Sequence, residues 1–194
     1  MNKNRLEAFS DGVLAIIITI MVLEFKVPND TTFESVVKLS HKFLSYILSF
    51  IYVGIYWNNH HHMMHTVKRV NGKILWANLH LLFWLSLIPF TTAWIGEHHF
   101  APFPMMLYGI VLFMNGLAYF ILQNVILSHH GKDSILSKAV GNGLKEKASV
   151  LLYLIAIGFA NFYPIIAGTI YILVALMWLI PDKRIERVLN NEND

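Results

Sequence analysis

The 194-residue sequence has no cysteine and little charge. Without cysteine there is no disulfide scaffold and no thiolate metal site. Only 14% of the residues are Asp, Glu, Lys or Arg, 56% are hydrophobic and the mean hydropathy is +0.52. A soluble domain carries about 25% charged residues. Disorder and coiled coil are therefore excluded. A pI near 9.1 does not signal a nucleic-acid-binding domain, because 15 basic against 12 acidic residues leave a net charge of only +3 and make no basic face. No low-complexity linker, soluble domain or internal repeat is visible.

The charges that exist are unevenly placed. Ile74–Gly96, Phe100–Leu127 and Ala148–Pro181 run for 23, 28 and 34 residues without Asp, Glu, Lys or Arg, Phe43–Asn59 for 17 and Gly12–Leu23 for 12. A helix needs about 20 apolar residues to cross a bilayer, in a range of about 17 to 25. Several such runs cannot all be buried in one soluble core, so they read as transmembrane helices. The N-terminal run reads as retained: Glu7 and Asp11 stand where a signal peptide is basic, and no small-residue cleavage site follows Leu23.

The long final run is divided by Asn161-Phe162-Tyr163-Pro164, a turn signal. Lysines 132, 138, 145 and 147 precede this run, and Lys183, Arg184 and Arg187 follow it. If both groups are cytoplasmic, the run crosses twice. The expectation is an all-α integral membrane protein forming one transmembrane domain over 1–194, with six spans near 6–25, 40–59, 74–95, 103–127, 147–162 and 164–181. Placing both termini in the cytoplasm puts 12 of the 15 cations inside, leaving Lys26, Lys38 and Lys42 outside, as the positive-inside rule requires. Trp76 and Trp94 bracket the third span 18 residues apart, roughly 27 Å along a helix, as interfacial anchors do. His129–Lys147 is the longest polar stretch and reads as a cytoplasmic connector with some helix.

Ionisable residues at a membrane boundary usually face protein or water. Arg5, Glu7 and Asp11 open the first helix. Asp11 has two readings: an acid favoured by the helix N-terminal dipole at the membrane edge, or one member of a buried polar lock between helices. Farther on, Ile16, Thr19, Ile20 and Leu23 recur at i, i+3, i+4 and i+7 and share one face. In a helix apolar all round, that face could equally serve packing or lipid. Thr19 could bond back to the carbonyl of Ala15.

Arg5-x-x-x-Phe9-Ser10-Asp11 at the start of the first span resembles the signature of the transmembrane protein 175 family, the endosomal and lysosomal potassium channels and their prokaryotic relatives. RLEAFSDGVLAI and VLEFKVP follow the family pattern, as do Trp57-x-x-His60, Asn78 and Pro89-Phe90. The resemblance covers the first 95 residues well and the rest only as hydrophobic spans. It implies a six-span subunit of a homotetramer in the inner (plasma) membrane, conducting potassium through a pore lined by four first helices. Potassium is the permeant ion, and no cofactor is implied. There is no TVGYG-type filter. By the same resemblance Ile16 forms a hydrophobic constriction, Ile20 and Leu23 continue the lining, and Thr19 contributes a ring of hydroxyls. Arg5, Phe9, Ser10 and Asp11 lock the inner end of the helix against Trp57, His60 and Asn78. Outer acids such as Glu24 and Asp30 could concentrate cations.

Ten histidines stand out. His61 and His65 lie i, i+4, as metal ligands can, but no carboxylate or cysteine accompanies them, so no metal site is expected. His98-His99 and His129-His130 read as solvated loop residues. The rival reading is a proton- or ion-coupled secondary transporter using Asp11 and histidines as a relay. It lacks deep acids in several spans and an inverted repeat. An enzyme is not expected: no serine–histidine–aspartate set, paired carboxylates or bis-histidine pair across spans appears.

Overall fold

The computed structural model describes residues 3–131 and 144–179, and these contain eight helices and no strand. They are α1 (Lys3–Leu23), α2 (Phe33–Val37), α3 (Ser40–His65), α4 (Gly72–Ser86), α5 (Ile88–Glu97), α6 (Pro102–His130), α7 (Leu144–Ala160) and α8 (Pro164–Leu179). Among the described residues, α1, α4 and α5 taken together (Gly72–Glu97) and α6 are long and apolar enough to cross a membrane. The connector cations Lys132 and Lys138 and the tail cations Lys183, Arg184 and Arg187 lie outside the described residues.

Local chemistry explains the helix boundaries. Asn71 caps α4, its Oδ1 accepting from the Ile74 N–H at 2.9 Å, which satisfies one of the orphan donors of the first turn. Thr32 caps the short α2. The stretch expected as one third span is two helices broken at Leu87, with Pro89 near the start of α5. Proline has no N–H to donate and its ring collides with the preceding turn, so the helix ends and restarts. Gly131, at φ +82°, ends α6 in a conformation that glycine adopts without cost.

Two apolar cores result. One joins α1, α3, α4 and α6 through residues such as Leu14, Val53, Leu81 and Leu122. The other packs the α7–α8 hairpin against α6 and α3 around Tyr108, Tyr153, Ala156 and Tyr171. Hydroxyls stitch these apolar surfaces together. Thr92 Oγ1 donates to Ser49 Oγ at 2.7 Å, and Ser49 shares a 2.9 Å hydrogen bond with the Tyr108 hydroxyl, linking α5, α3 and α6. Tyr52 donates to the Tyr171 carbonyl at 2.6 Å, and Tyr171 donates to the Met105 carbonyl at 3.1 Å. Where lipid tails are as apolar as the side chains, such bonds and close packing replace the hydrophobic drive between helices.

At the end of the bundle that carries the C-terminus of α5, Lys42 Nζ lies 3.0 Å from Glu97 Oε1.

Gly109 of α6 lies directly against Tyr171 of α8. A methyl group there would meet the Tyr171 hydroxyl and lie 2.8 Å from Tyr171 Cζ and 3.0 Å from Ile157 Cγ1. Gly109→Ala is expected to destabilise the fold by about 1–3 kcal/mol through overpacking, read as a lower melting temperature in detergent. Wild-type melting would show that α6 and α8 can part without penalty.

Candidate functional site

Helix α1 has two unlike faces. Leu6, Ser10, Leu14, Ile17 and Met21 are buried and recur every three or four residues, the signature of one helix face. They pack against α3, α4 and α5. Ser10 is the polar member of this face. Its hydroxyl donates to the Leu6 carbonyl at 2.9 Å and accepts from Asn78 Nδ2 at 3.0 Å. The Asn78 Oδ1 lies 2.7 Å from His60 Nε2. A carbonyl oxygen can only accept, so the bond requires the proton on Nε2 of His60. All three side chains are buried, so the chain Leu6–Ser10–Asn78–His60 joins α1, α4 and α3 away from water.

One residue farther along, Asp11 points out of this buried face. Its Oδ1 accepts from the Trp57 indole N–H at 3.1 Å in an exposed position. The pinning of α1 therefore has a buried part on α4 and α3 and an exposed part on α3. Arg5 is exposed and takes no hydrogen bond or ion pair among the described residues, and Phe9 is 53% exposed.

The opposite face of α1 is bare. Ile16 is 58% exposed, Ile20 41% and Leu23 77%, and Thr19 is exposed beside them. Thr19 Oγ1 donates to the Ile16 carbonyl at 2.8 Å, three residues back, not to the Ala15 carbonyl. An open apolar groove runs between this helix and α5, bordered by Ile16, Ile20, Pro89, Phe90 and Trp94.

The histidines divide by position. His61 and His65 stand edge-on, with ring centroids 4.5 Å apart on α3. Burial, then the neighbouring His61 and Lys3 charges, pull His65 below its usual range. Among the described residues no three His, Asp or Glu side chains gather as a metal site requires. The placing of His129 and His130 in a loop is corrected: both end α6, where His129 stays exposed. His130 Nε2 accepts from the Lys68 N–H at 3.1 Å, and His129 Nδ1 lies 3.1 Å from Asn71 Nδ2. They tie α6 to the turn between α3 and α4 because that turn presents free N–H groups. The N-terminus reaches the same end, where Lys3 donates to the His65 carbonyl at 3.3 Å.

Sequence reasoning passed over Ser49, Thr92 and Tyr108. Their signal is faint: hydroxyls inside charge-free runs, on faces whose neighbours are set by the fold.

These features define a multi-pass α-helical membrane protein with one strongly asymmetric helix. Residues 5–89 match the family model described as endosomal/lysosomal potassium channel TMEM175. The sequence is 60% identical over 189 residues to a potassium channel of Chryseobacterium sp. (strain P1-3), covering 97% of this chain and 98% of that one. The fold matches the crystal structure of a lysosomal potassium-selective channel TMEM175 homolog from Chamaesiphon minutus, with a TM-score of 0.77 and 26% identity over 93% of this chain and 97% of that chain. The human endosomal/lysosomal proton channel TMEM175 is 35% identical over 96 residues, 43% of this chain and 19% of that protein. The chain belongs to the TMEM175 family, a family of channels and not of enzymes.

The two parts of the α1 attachment differ in burial, and their costs should differ accordingly. Asn78→Ala strands the His60 donor in a buried site and is expected to destabilise by about 1–3 kcal/mol. Asp11→Ala removes an exposed bond for which water substitutes, at about 1 kcal/mol or less. Thermal unfolding of the two variants in the same detergent measures the order; the reverse order would show that Asp11 is the main anchor.

Proposed function

We propose that the protein is a potassium-selective channel whose pore is lined by α1 from each subunit of a homotetramer. The reading rests on one observation: α1 is held by buried hydrogen bonds on one face while Ile16, Ile20 and Leu23 stand bare on the other. A single helix cannot enclose a pore, so several copies must contribute one each. The potassium channels among its relatives support the choice of ion. The subunit crosses the inner (plasma) membrane six times with both termini in the cytoplasm, the arrangement that puts 12 of the 15 cations inside.

Ile16 is the hydrophobic constriction. A narrow ring of isoleucines expels water, and an ion cannot shed its hydration shell against groups that offer no replacement ligand. Closing therefore needs no plug, and opening needs only that the helices spread or turn. Ile20 and Leu23 continue the lining. Thr19 sits one turn from the constriction with its hydroxyl proton committed to the Ile16 carbonyl, which leaves oxygen lone pairs to meet a cation. Ser10, Asp11, Trp57, His60 and Asn78 hold α1 to its own subunit. Arg5 and Phe9 complete the lock from the exposed edge, where an adjacent subunit can reach them.

Replacing the constriction residue tests this assignment. Ile16→Asn keeps the ring wet and is expected to raise potassium flux into liposomes at least several-fold; flux equal to wild type would remove α1 from the pore. On the wild-type protein, potassium flux exceeding sodium flux with no requirement for a proton gradient is expected. Transport that stops when the proton gradient is collapsed would favour a coupled transporter.

A further inference from the structure

A partly open cavity lies away from α1, between α3, α6, α7 and α8. Its volume is about 50 Å³, several times what one water molecule needs. Its wall is unusually aromatic. Tyr56, Phe113, Tyr119, Tyr153 and Trp178 all border it. The polar edges of three of these rings are already engaged: Tyr119 donates to the Asn59 carbonyl at 3.3 Å, Tyr153 to the Tyr52 hydroxyl at 3.4 Å and Trp178 to Ser149 Oγ at 2.8 Å. Their polar groups are thus held by the protein, and most of the lining is ring and hydrocarbon.

One carboxylate, that of Glu146 in the first turn of α7, borders the same space. It forms no ion pair among the described residues. Lys145 Nζ stands 5.9 Å from the centroid of the Trp178 ring, within the range at which an ammonium group is drawn to an aromatic face. Gly116 keeps the space open: a methyl group there would sit 3.9 Å from both the Tyr56 hydroxyl and Tyr153 Cε2, so a larger side chain would occupy the cavity.

We infer that this cavity binds a small organic ammonium ion, a quaternary or alkylated amine, between its aromatic wall and the Glu146 carboxylate. Aromatic faces attract a desolvated cation through their quadrupoles, and cages of such rings recognise quaternary ammonium groups. A mostly apolar concavity with one convergent charged group is also the general form of a small-molecule site. An aliphatic ligand would find no use for the carboxylate. Potassium, strongly hydrated, would find too few oxygen ligands. The site is independent of the proposed pore, since α1 contributes nothing to it.

The test uses isotopically labelled choline on the purified full-length protein in detergent, with the uncharged isostere 3,3-dimethylbutan-1-ol as competitor. Saturable choline binding is expected, displaced by unlabelled choline at a concentration at least tenfold lower than by the isostere. Gly116→Leu should abolish it, and Glu146→Gln should weaken it about tenfold while leaving potassium flux unchanged. Absence of saturable binding overturns the proposal, as does equal competition by the uncharged isostere. Wild-type binding in both variants overturns it too, by placing choline elsewhere. Should Gly116→Leu fail to fold, Glu146→Gln decides alone: full affinity refutes the assignment, and tenfold weaker binding supports it.

Discussion

A buried amide sets the rotation of α1. Asn78 offers its N–H to Ser10 and its oxygen to His60, and none of the three side chains can turn to water instead. In a hydrocarbon setting a buried polar group without a partner is costly, so these bonds leave the helix little freedom about its axis. Everything else on α1 follows from that register. Leu6, Leu14, Ile17 and Met21 fall inside because they share the face of Ser10. Ile16, Ile20 and Leu23 fall outside because they do not. Apolar packing alone would not choose, since isoleucines stand on both sides.

The rest of the bundle uses the same economy of polar groups. With so little charge available, specificity between helices comes from single hydroxyls placed where two backbones approach. Ser49, Thr92 and Tyr108 form one such junction, and Tyr52 with Tyr171 another. Gly109 allows the Tyr171 ring to seat against α6. The ends of the bundle are tied differently, by Lys42 with Glu97 at one end and by His129 and His130 against the α3–α4 turn at the other. The interior is fastened by neutral hydrogen bonds and the rims by charged or titratable groups, as the local dielectric demands.

Much of the membrane character was legible before any fold was known. Charge-free runs mark the apolar helices, and Asn161 to Pro164 marks the gap between α7 and α8. The RxxxFSD pattern carried the family, to which the chain belongs. Part of the candidate site was legible as residue types: Ser10, Asp11, Trp57, His60 and Asn78 are polar or amphipathic groups at the margins of apolar runs. Their pairing was not, because Ser10 and Asn78 lie 68 positions apart and nothing local records the contact. The hydrogen-bonding duty of His130 was hidden for a like reason, since it depends on unpaired N–H groups 61 and 62 positions away.

Composition and spacing by themselves determined that the chain is helical and lives in a membrane, because the partition of charge between water and hydrocarbon is a property of each residue. Only the tertiary structure decided which way α1 faces, where Leu87 breaks the third apolar run, and that aromatic rings from four helices border one cavity together with a carboxylate. Those outcomes depend on pairs of groups meeting across long stretches of sequence. In a helix apolar on every side, periodicity carries no sign of which face will be covered, and a hydrogen bond to another helix supplies the missing asymmetry.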